Sequence, residues 1–322
     1  MKKSYIILLM MLCCSSAFSQ QEAMYSQYVF NPMAINPAMG SSTNEATTKV
    51  IYRKKFMGGD FEGDPQTQTV VVDLPLKNEK MGVGIQLYND IAGVVKSTGG
   101  YGIYYYKAQL NDQLTLSMGV QAGFTNFRAN LTSVQLIDPK DPNFGQNINK
   151  MLPSVGAGIN LSNDKWSLAI AAPQLIRTNL SLVDNPNANY TTTNARFLFS
   201  MFSYNFRLNT AVKLMPSILA KMLENVPVAF DYNLKASFND KFLLGGSYRT
   251  ASSKFNEAST QTRLGDAFLA FTEIQISPKL RFGYSYNIPT TKGMYDSGSH
   301  EVLLSFRFLK NQEETITDPR FK

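Results

Sequence analysis

The sequence predicts an all-β fold: a transmembrane β-barrel of the outer-membrane type, with about 14 antiparallel strands and an N-terminal extended segment placed to enter the barrel. Three observations lead there. Segments of about nine to thirteen residues alternate strictly between apolar and polar, a length that suits a tilted membrane-crossing strand better than the five or six residues of a soluble one. The chain opens like an exported protein, with no second apolar stretch long enough for a membrane helix, so a membrane location requires strands. Connections between strands alternate between short and long, as periplasmic turns and extracellular loops do. A large soluble β-sandwich is the competing architecture, since it also alternates and uses Asn-Asp turns. Tyr and Phe abundance, with charged residues at only 17%, weighs against it.

The first twenty residues carry Lys2 and Lys3, an apolar run from Ile6 to Leu12, and a small polar exit at Ser15-Ser16-Ala17-Phe18-Ser19-Gln20. This is the layout of a signal peptide over residues 1–20. Cys13 and Cys14 raise a lipoprotein alternative, but Leu12 and Cys13 precede them where a lipidation site wants Gly, Ala or Ser. Cleavage near Ser19 or Gln20 leaves a chain without cysteine and with His300 as its one histidine. Disulfides, thiolate metal sites, cysteine nucleophiles and multi-histidine sites are thereby excluded. The formal charge of +7 falls by two when Lys2 and Lys3 leave. That mild balance, without a clustered patch, gives no sign of a nucleic-acid partner.

Residues 21–45 form the N-terminal extended segment. Asn31-Pro32 and Asn36-Pro37 each push an Asn out of the α region and remove a backbone donor, which predicts a kinked, extended path. Tyr28, Phe30, Met33 and Ile35 require a surface to lie against. Folding into the barrel mouth, to narrow or close it, satisfies that need.

The barrel spans 46–309. Its strands are expected at Ala46 to Phe56, Gln66 to Leu76, Met81 to Asn89, Ser97 to Gln109, Asp112 to Thr125, Met151 to Leu161, Lys165 to Ala172, Asn194 to Arg207, Asn209 to Met222, Val226 to Phe238, Lys241 to Thr250, Arg263 to Ile276, Lys279 to Ile288 and Ser299 to Leu309. The fifth shows the pattern well: Leu114, Leu116, Met118, Val120, Ala122 and Phe124 oppose Thr115, Ser117, Gly119, Gln121, Gly123 and Thr125. In the tenth, Ala229, Asp231, Asn233, Lys235 and Ser237 make the polar face. Tight turns come after the even strands at Lys77 to Lys80, Asn111-Asp112, Asn163-Asp164, Asn209, Asn239-Asp240 and Pro278. Longer connections come after the odd ones at Met57 to Pro65, Asp90 to Lys96, Asn126 to Lys150, Pro173 to Thr193, Ala251 to Thr262 and Pro289 to Gly298, and only Leu223 to Asn225 is short. Both termini then face the periplasm. Pro216 within a strand calls for a bulge. A polar tail, Lys310 to Lys322, ends the chain.

No constellation reads as catalytic, and no cofactor site is expected. Gly82-x-Gly84 and Gly156-x-Gly158 lie in strands without a helix after them, so close packing or curvature accounts for them. Asp231, Asn233 and Asp240 admit a cation site, but a solvated lumen face plus a turn explains them more simply. Lys213, Lys221, Asp231, Lys235, Lys241, Arg249, Glu273, Arg281 and Arg307 are expected inside, in mixed signs. A barrel of this size passes solute unless chain occupies it.

Three motif groups also carry a resemblance. The opening is Ser26-Gln27-Tyr28-x-Phe30-Asn31-Pro32-x-x-Ile35-Asn36-Pro37-Ala38. Pro216-Ser217, Lys221, Pro227, Asp231, Asn233, Asp240 and Leu244-Gly245-x-Ser247-Tyr248-Arg249 occupy the middle. Gly283-Tyr284-x-Tyr286, Gly298-Ser299-His300-Glu301-Val302 and Phe306-x-Phe308 close the chain. Together these resemble the PorP/SprF family of type IX secretion outer-membrane proteins over nearly the whole mature chain. The resemblance implies a non-enzymatic part of the type IX secretion and gliding apparatus, needed for export or surface retention of a large adhesin through its C-terminal domain. Implied partners are outer-membrane lipid, the secreted adhesin and periplasmic secretion or gliding components. By position, the contact residues are Tyr28, Phe30, Asn31, Pro32, Asn36 and Pro37 in the N-terminal segment, and Phe144, Asn185 and Tyr190 in the outer loops. A general porin or hydrophobic-solute transporter is the alternative.

Overall fold

Side chains of an extended chain point alternately to two faces, so a segment whose odd and even positions differ in polarity folds as a strand between two unlike environments. The computed structural model describes residues 27–40, 45–55, 64–76, 80–134, 146–177, 196–223, 226–251, 267–289 and 298–308. Among the described residues the strands are β1 (Ala46–Lys55), β2 (Gln66–Pro75), β3 (Met81–Ala92), β4 (Val95–Gln109), β5 (Thr115–Ala129), β6 (Ile148–Ser162), β7 (Trp166–Ala172), β8 (Phe197–Tyr204, resumed beyond Asn205 at Phe206–Arg207), β9 (Val212–Leu223), β10 (Val226–Phe238), β11 (Phe242–Ala251), β12 (Ala267–Ser277), β13 (Leu280–Pro289) and β14 (Ser299–Phe308). Each pairs antiparallel with the next, and β1 closes the ring against β14, from Ala46 opposite Phe308 to Lys55 opposite Ser299. Closure leaves no free sheet edge. Every predicted strand has its counterpart, with the ends shifted in all but Val226–Phe238. Among the described residues no helix is long and apolar enough to cross a membrane.

The two faces separate as the alternation requires. Along β5, Ser117, Gln121 and Thr125 are buried inside, while Met118, Val120 and Phe124 are exposed outside. Thr67, Thr69, Val71 and Asp73 line the inside of β2 against exposed Val70 and Leu74.

One end of the barrel carries turns built by a repeated device. The Oδ1 atoms of Asn111, Asn163 and Asn209 each accept two backbone N–H bonds, from the residues two and three positions on, at 2.7–2.9 Å. Ser277 does the same less tightly through its Oγ, at 3.1 and 3.3 Å. Asn239 and Asp240 adopt φ of 51° and 55°, the left-handed region that Asn and Asp tolerate best among residues with a Cβ.

Two expectations need correction. Asp90 to Lys96 is not a long connection, because β3 and β4 continue until Ala92 pairs directly with Val95. Gly93, at φ 60°, makes the two-residue turn sterically free. Pro216 also requires no bulge. Leu214 pairs with Phe206 and Ser217 with Ser203 in one unbroken register, and the ladder lapses between them at Asn205. The missing proline donor therefore faces an interruption in β8. The register shift of β9 lies further on, between Lys221 and Leu223.

Candidate functional site

The lumen is occupied by the N-terminal segment. Gln27–Val29 and Pro32–Ala34 are single 3₁₀ turns, so the path is kinked but more coiled than the Asn-Pro pairs alone imply. Proline's fixed φ suits the first position of the second turn, and Asn31 before it stays outside the α region at φ −134°, ψ 81°. Tyr28, Val29, Phe30, Met33, Ile35 and Ala38 are all buried. Val29, Phe30 and Ile35 pack with Ile51, Leu219, Leu269, Phe271 and Leu303 from the wall. The Phe30 and Phe271 rings meet edge to face at 6.0 Å. Met33 packs on Ile103 and Tyr105.

A strand wall lends its own backbone groups to the ladder, so a segment crossing the lumen must be held by side chains. Lys49 Nζ donates to the Phe30 carbonyl at 2.8 Å and Lys235 Nζ to the Val29 carbonyl at 3.0 Å. Asn36 Nδ2 donates to the Ile159 carbonyl at 3.1 Å, while its Oδ1 accepts from Ala38 N–H at 2.8 Å. The Tyr28 hydroxyl reaches Asp231 Oδ2 at 2.8 Å and lies 3.0 Å from Asn233 Oδ1.

Asp231 is the hub of this contact. It is fully buried, accepts from Lys221 Nζ at 2.6 Å, and is gripped by Arg249 through Nε at 3.0 Å and Nη2 at 3.1 Å. Lys221 Nζ also stands 5.4 Å from the centre of the Tyr28 ring. The expectation of a solvated polar face at Asp231 and Asn233 is thus replaced by a buried, hydrogen-bonded cluster of one carboxylate and two cations; Asp240 stands apart, paired with Lys213 at 2.7 Å in the exposed turn. Burial, and then the Asp231 carboxylate, raise the Tyr28 phenol well above its ordinary range, so it remains a donor at neutral pH. Among the described residues no group of His, Cys, Asp and Glu has the makings of a metal site.

Small residues give the segment its room. A Cβ at Gly119 would strike the Pro37 and Ala38 backbone, and one at Gly158 would strike the Asn36 side chain. The neighbouring pairs serve the same close packing: Gly84 lies under Met33, Gly82 under Tyr105, and Gly156 under Pro173.

Tyr28, Phe30, Asn31, Pro32, Asn36 and Pro37 are therefore brought together inside the barrel. Phe144, Asn185 and Tyr190 lie outside the described residues, as do the leader, most of the large loops and the polar tail. His300 turns outward, with Nδ1 2.7 Å from the Tyr284 hydroxyl and its ring beside Tyr286. Lys241 falls in the turn after β10. Sequence reasoning missed Lys49 as a backbone clamp and the inward glycines as a seat. The available signal was an inward glycine series on β3, β5 and β6 opposite a segment rich in Asn and Pro.

Comparison with known proteins agrees on the fold. The Ralstonia pickettii toluene transporter TbuX superposes with a TM-score of 0.52 at 8% identity, covering 85% of this chain and 92% of its own. The CymD monoaromatic hydrocarbon channel gives 0.50 at 11% identity over 90% and 94% of the two chains. A TodX monoaromatic hydrocarbon channel mutant gives 0.50 at 9% identity over 88% and 94%. Such identities establish a shared outer-membrane barrel architecture and no shared substrate. No curated protein matches the sequence significantly. Residues 17–306 match the family model described as "Type IX secretion system membrane protein PorP/SprF". That match takes in the lumenal segment and thirteen complete strands, with most of the fourteenth: this outer-membrane barrel belongs to the PorP/SprF family.

Proposed function

We propose that the protein is a non-enzymatic outer-membrane component of type IX secretion and gliding, which supports export or surface attachment of a large adhesin through the adhesin's C-terminal domain. The observation that carries this reading is the occupied lumen. A tyrosine hydrogen bond to a buried carboxylate, an aromatic contact and lysine hydrogen bonds to backbone carbonyls seat the chain's own segment across the interior. A barrel so filled suits a scaffold that presents loops better than an open conduit. The apolar outer wall meets outer-membrane lipid, and both termini lie on the periplasmic side with the Asn-built turns. The larger connections, including Phe144, Asn185 and Tyr190, face the cell surface and offer area to the secreted partner. The tail at 310–322 reaches periplasmic secretion or gliding components. The residues from Tyr28 to Pro37 act by keeping the lumen filled.

The test is affinity purification of the tagged, full-length protein from gently solubilised native membranes. Recovery of a large surface adhesin, and loss of its surface display when 135–145 and 178–195 are shortened in an assembled barrel, is expected. Recovery of neither adhesin nor secretion components, together with substantial conductance of the intact protein, would overturn the reading in favour of a porin.

A further inference from the structure

Below the lumenal segment, at the end with the Asn-built turns, lies a cavity of about 270 Å³. The underside of the segment forms its roof, with Asn31 and Pro32 beside Met39. Lys49, Asp73, Glu273, Lys279, Arg281 and Arg307 supply the charges around it. Most of these are already matched. Arg281 binds Glu273 at 2.8 Å and Arg307 binds Glu45 at 3.0 Å, while Asp73 accepts from the Tyr105 hydroxyl at 2.8 Å. The unmatched groups are of one kind. Asn31 is 1% exposed, yet its Nδ2 has no hydrogen-bond partner. Among the described residues Lys49 spends one donor on the Phe30 carbonyl and is attracted by the Asp73 and Glu273 carboxylates without forming an ion pair to either, and the ammonium of Lys279 is paired with no carboxylate.

We infer that this cavity is a binding site for a single carboxylate, presented by an acidic side chain or a chain terminus of a peptide that approaches from the turn end. A buried amide N–H without an acceptor is costly, and a planar oxygen pair beside Asn31 and Lys49 supplies two. Both arginines are committed to glutamates, and Asp73 and Glu273 remain on the wall. A singly charged, flat acceptor fits that balance better than a phosphate dianion, whose usual partner is an uncommitted guanidinium fork. The volume is just under the usual range for whole small-molecule ligands, about 300–1,000 Å³, and suits one side chain or chain end entering from outside. The inference rests on the cavity and stands apart from the proposed role in secretion.

Calorimetric titration of the full-length protein in detergent, at low ionic strength, tests it. The probes are N-acetyl-Gly-Glu-Gly-amide, N-acetyl-Gly-Gly-Gly with a free carboxylate, acetate, and neutral N-acetyl-Gly-Gln-Gly-amide. Binding of at least one acidic probe and not of the neutral peptide is expected, and the preferred probe identifies side chain, terminus or free anion as the source. Asn31→Asp and Lys279→Glu should each weaken binding about tenfold or more, the scale of one hydrogen bond to a charged group. Lys279 sits in an exposed turn, so its replacement leaves the barrel folded. Absence of heat with every acidic probe, equal binding of the neutral peptide, or unchanged binding in Lys279→Glu would overturn the inference.

Discussion

At the residue scale the decisive group is Asp231, whose carboxylate joins Tyr28 of the segment to Lys221 and Arg249 of the wall. A buried ion pair is weak support when compared with apolar packing, but removing one member strands the others. Asp231→Asn keeps the shape and leaves two cations facing a neutral amide. It should cost about 3–5 kcal/mol, against roughly 1.5–3 kcal/mol for Tyr28→Phe, which deletes one bond to a charged acceptor. Equilibrium urea unfolding of the refolded barrel measures both, and equal losses would show that Asp231 does not organise the cluster. Alternation puts Asp231 on the inward face, and that much is legible in the sequence. Its partners are not. Lys221 and Arg249 lie 10 and 18 residues away, on neighbouring strands. Whether Asp231 meets water or guanidinium depends on register, which alternation alone does not set.

At the scale of elements, the lumenal segment and the small-residue seat beneath it are complementary surfaces. The Asn-Pro pairs signal a kinked segment, and its apolar residues a need for cover, so its entry into the barrel is legible. The 3₁₀ turns are not, since proline fixes its own φ and restricts the preceding residue without determining the path of the residues after it. Gly119 and Gly158 look like ordinary strand residues in the sequence, although inward glycine marks close approach of another backbone. Gly119→Val should unseat the segment, because the added Cβ meets the Pro37 and Ala38 main chain, which has no rotamer to give way. Gly102→Ala is the control, its nearest atom being the Ala122 carbonyl oxygen at 3.9 Å. Limited proteolysis near residues 27–40 should accelerate in the first variant and not in the second. Equal protection would mean that the seat tolerates displacement.

For the whole molecule, closure and occupancy are separate achievements. The ring closes through the pairing of β1 with β14 and owes none of its ladder bonds to the segment, so strand count, alternation and Asn turns suffice to give the architecture. The large loops lack any such repeating rule, which is why position alone suggests their contact residues. Deleting residues 27–40 should therefore leave a closed barrel with an altered interior. Ile51, Leu219, Phe271 and Leu303 would lose their apolar cover, lowering stability, while Asp231, Lys221 and Arg249 would gain water. Planar-bilayer recordings should show conductance well above that of the intact protein, with heat-modifiable migration preserved. If the intact and deleted proteins conduct alike, the segment does not close the pore. The scaffold reading then loses its physical basis, because a lumen that already conducts has no need of a segment with nine residues buried across it.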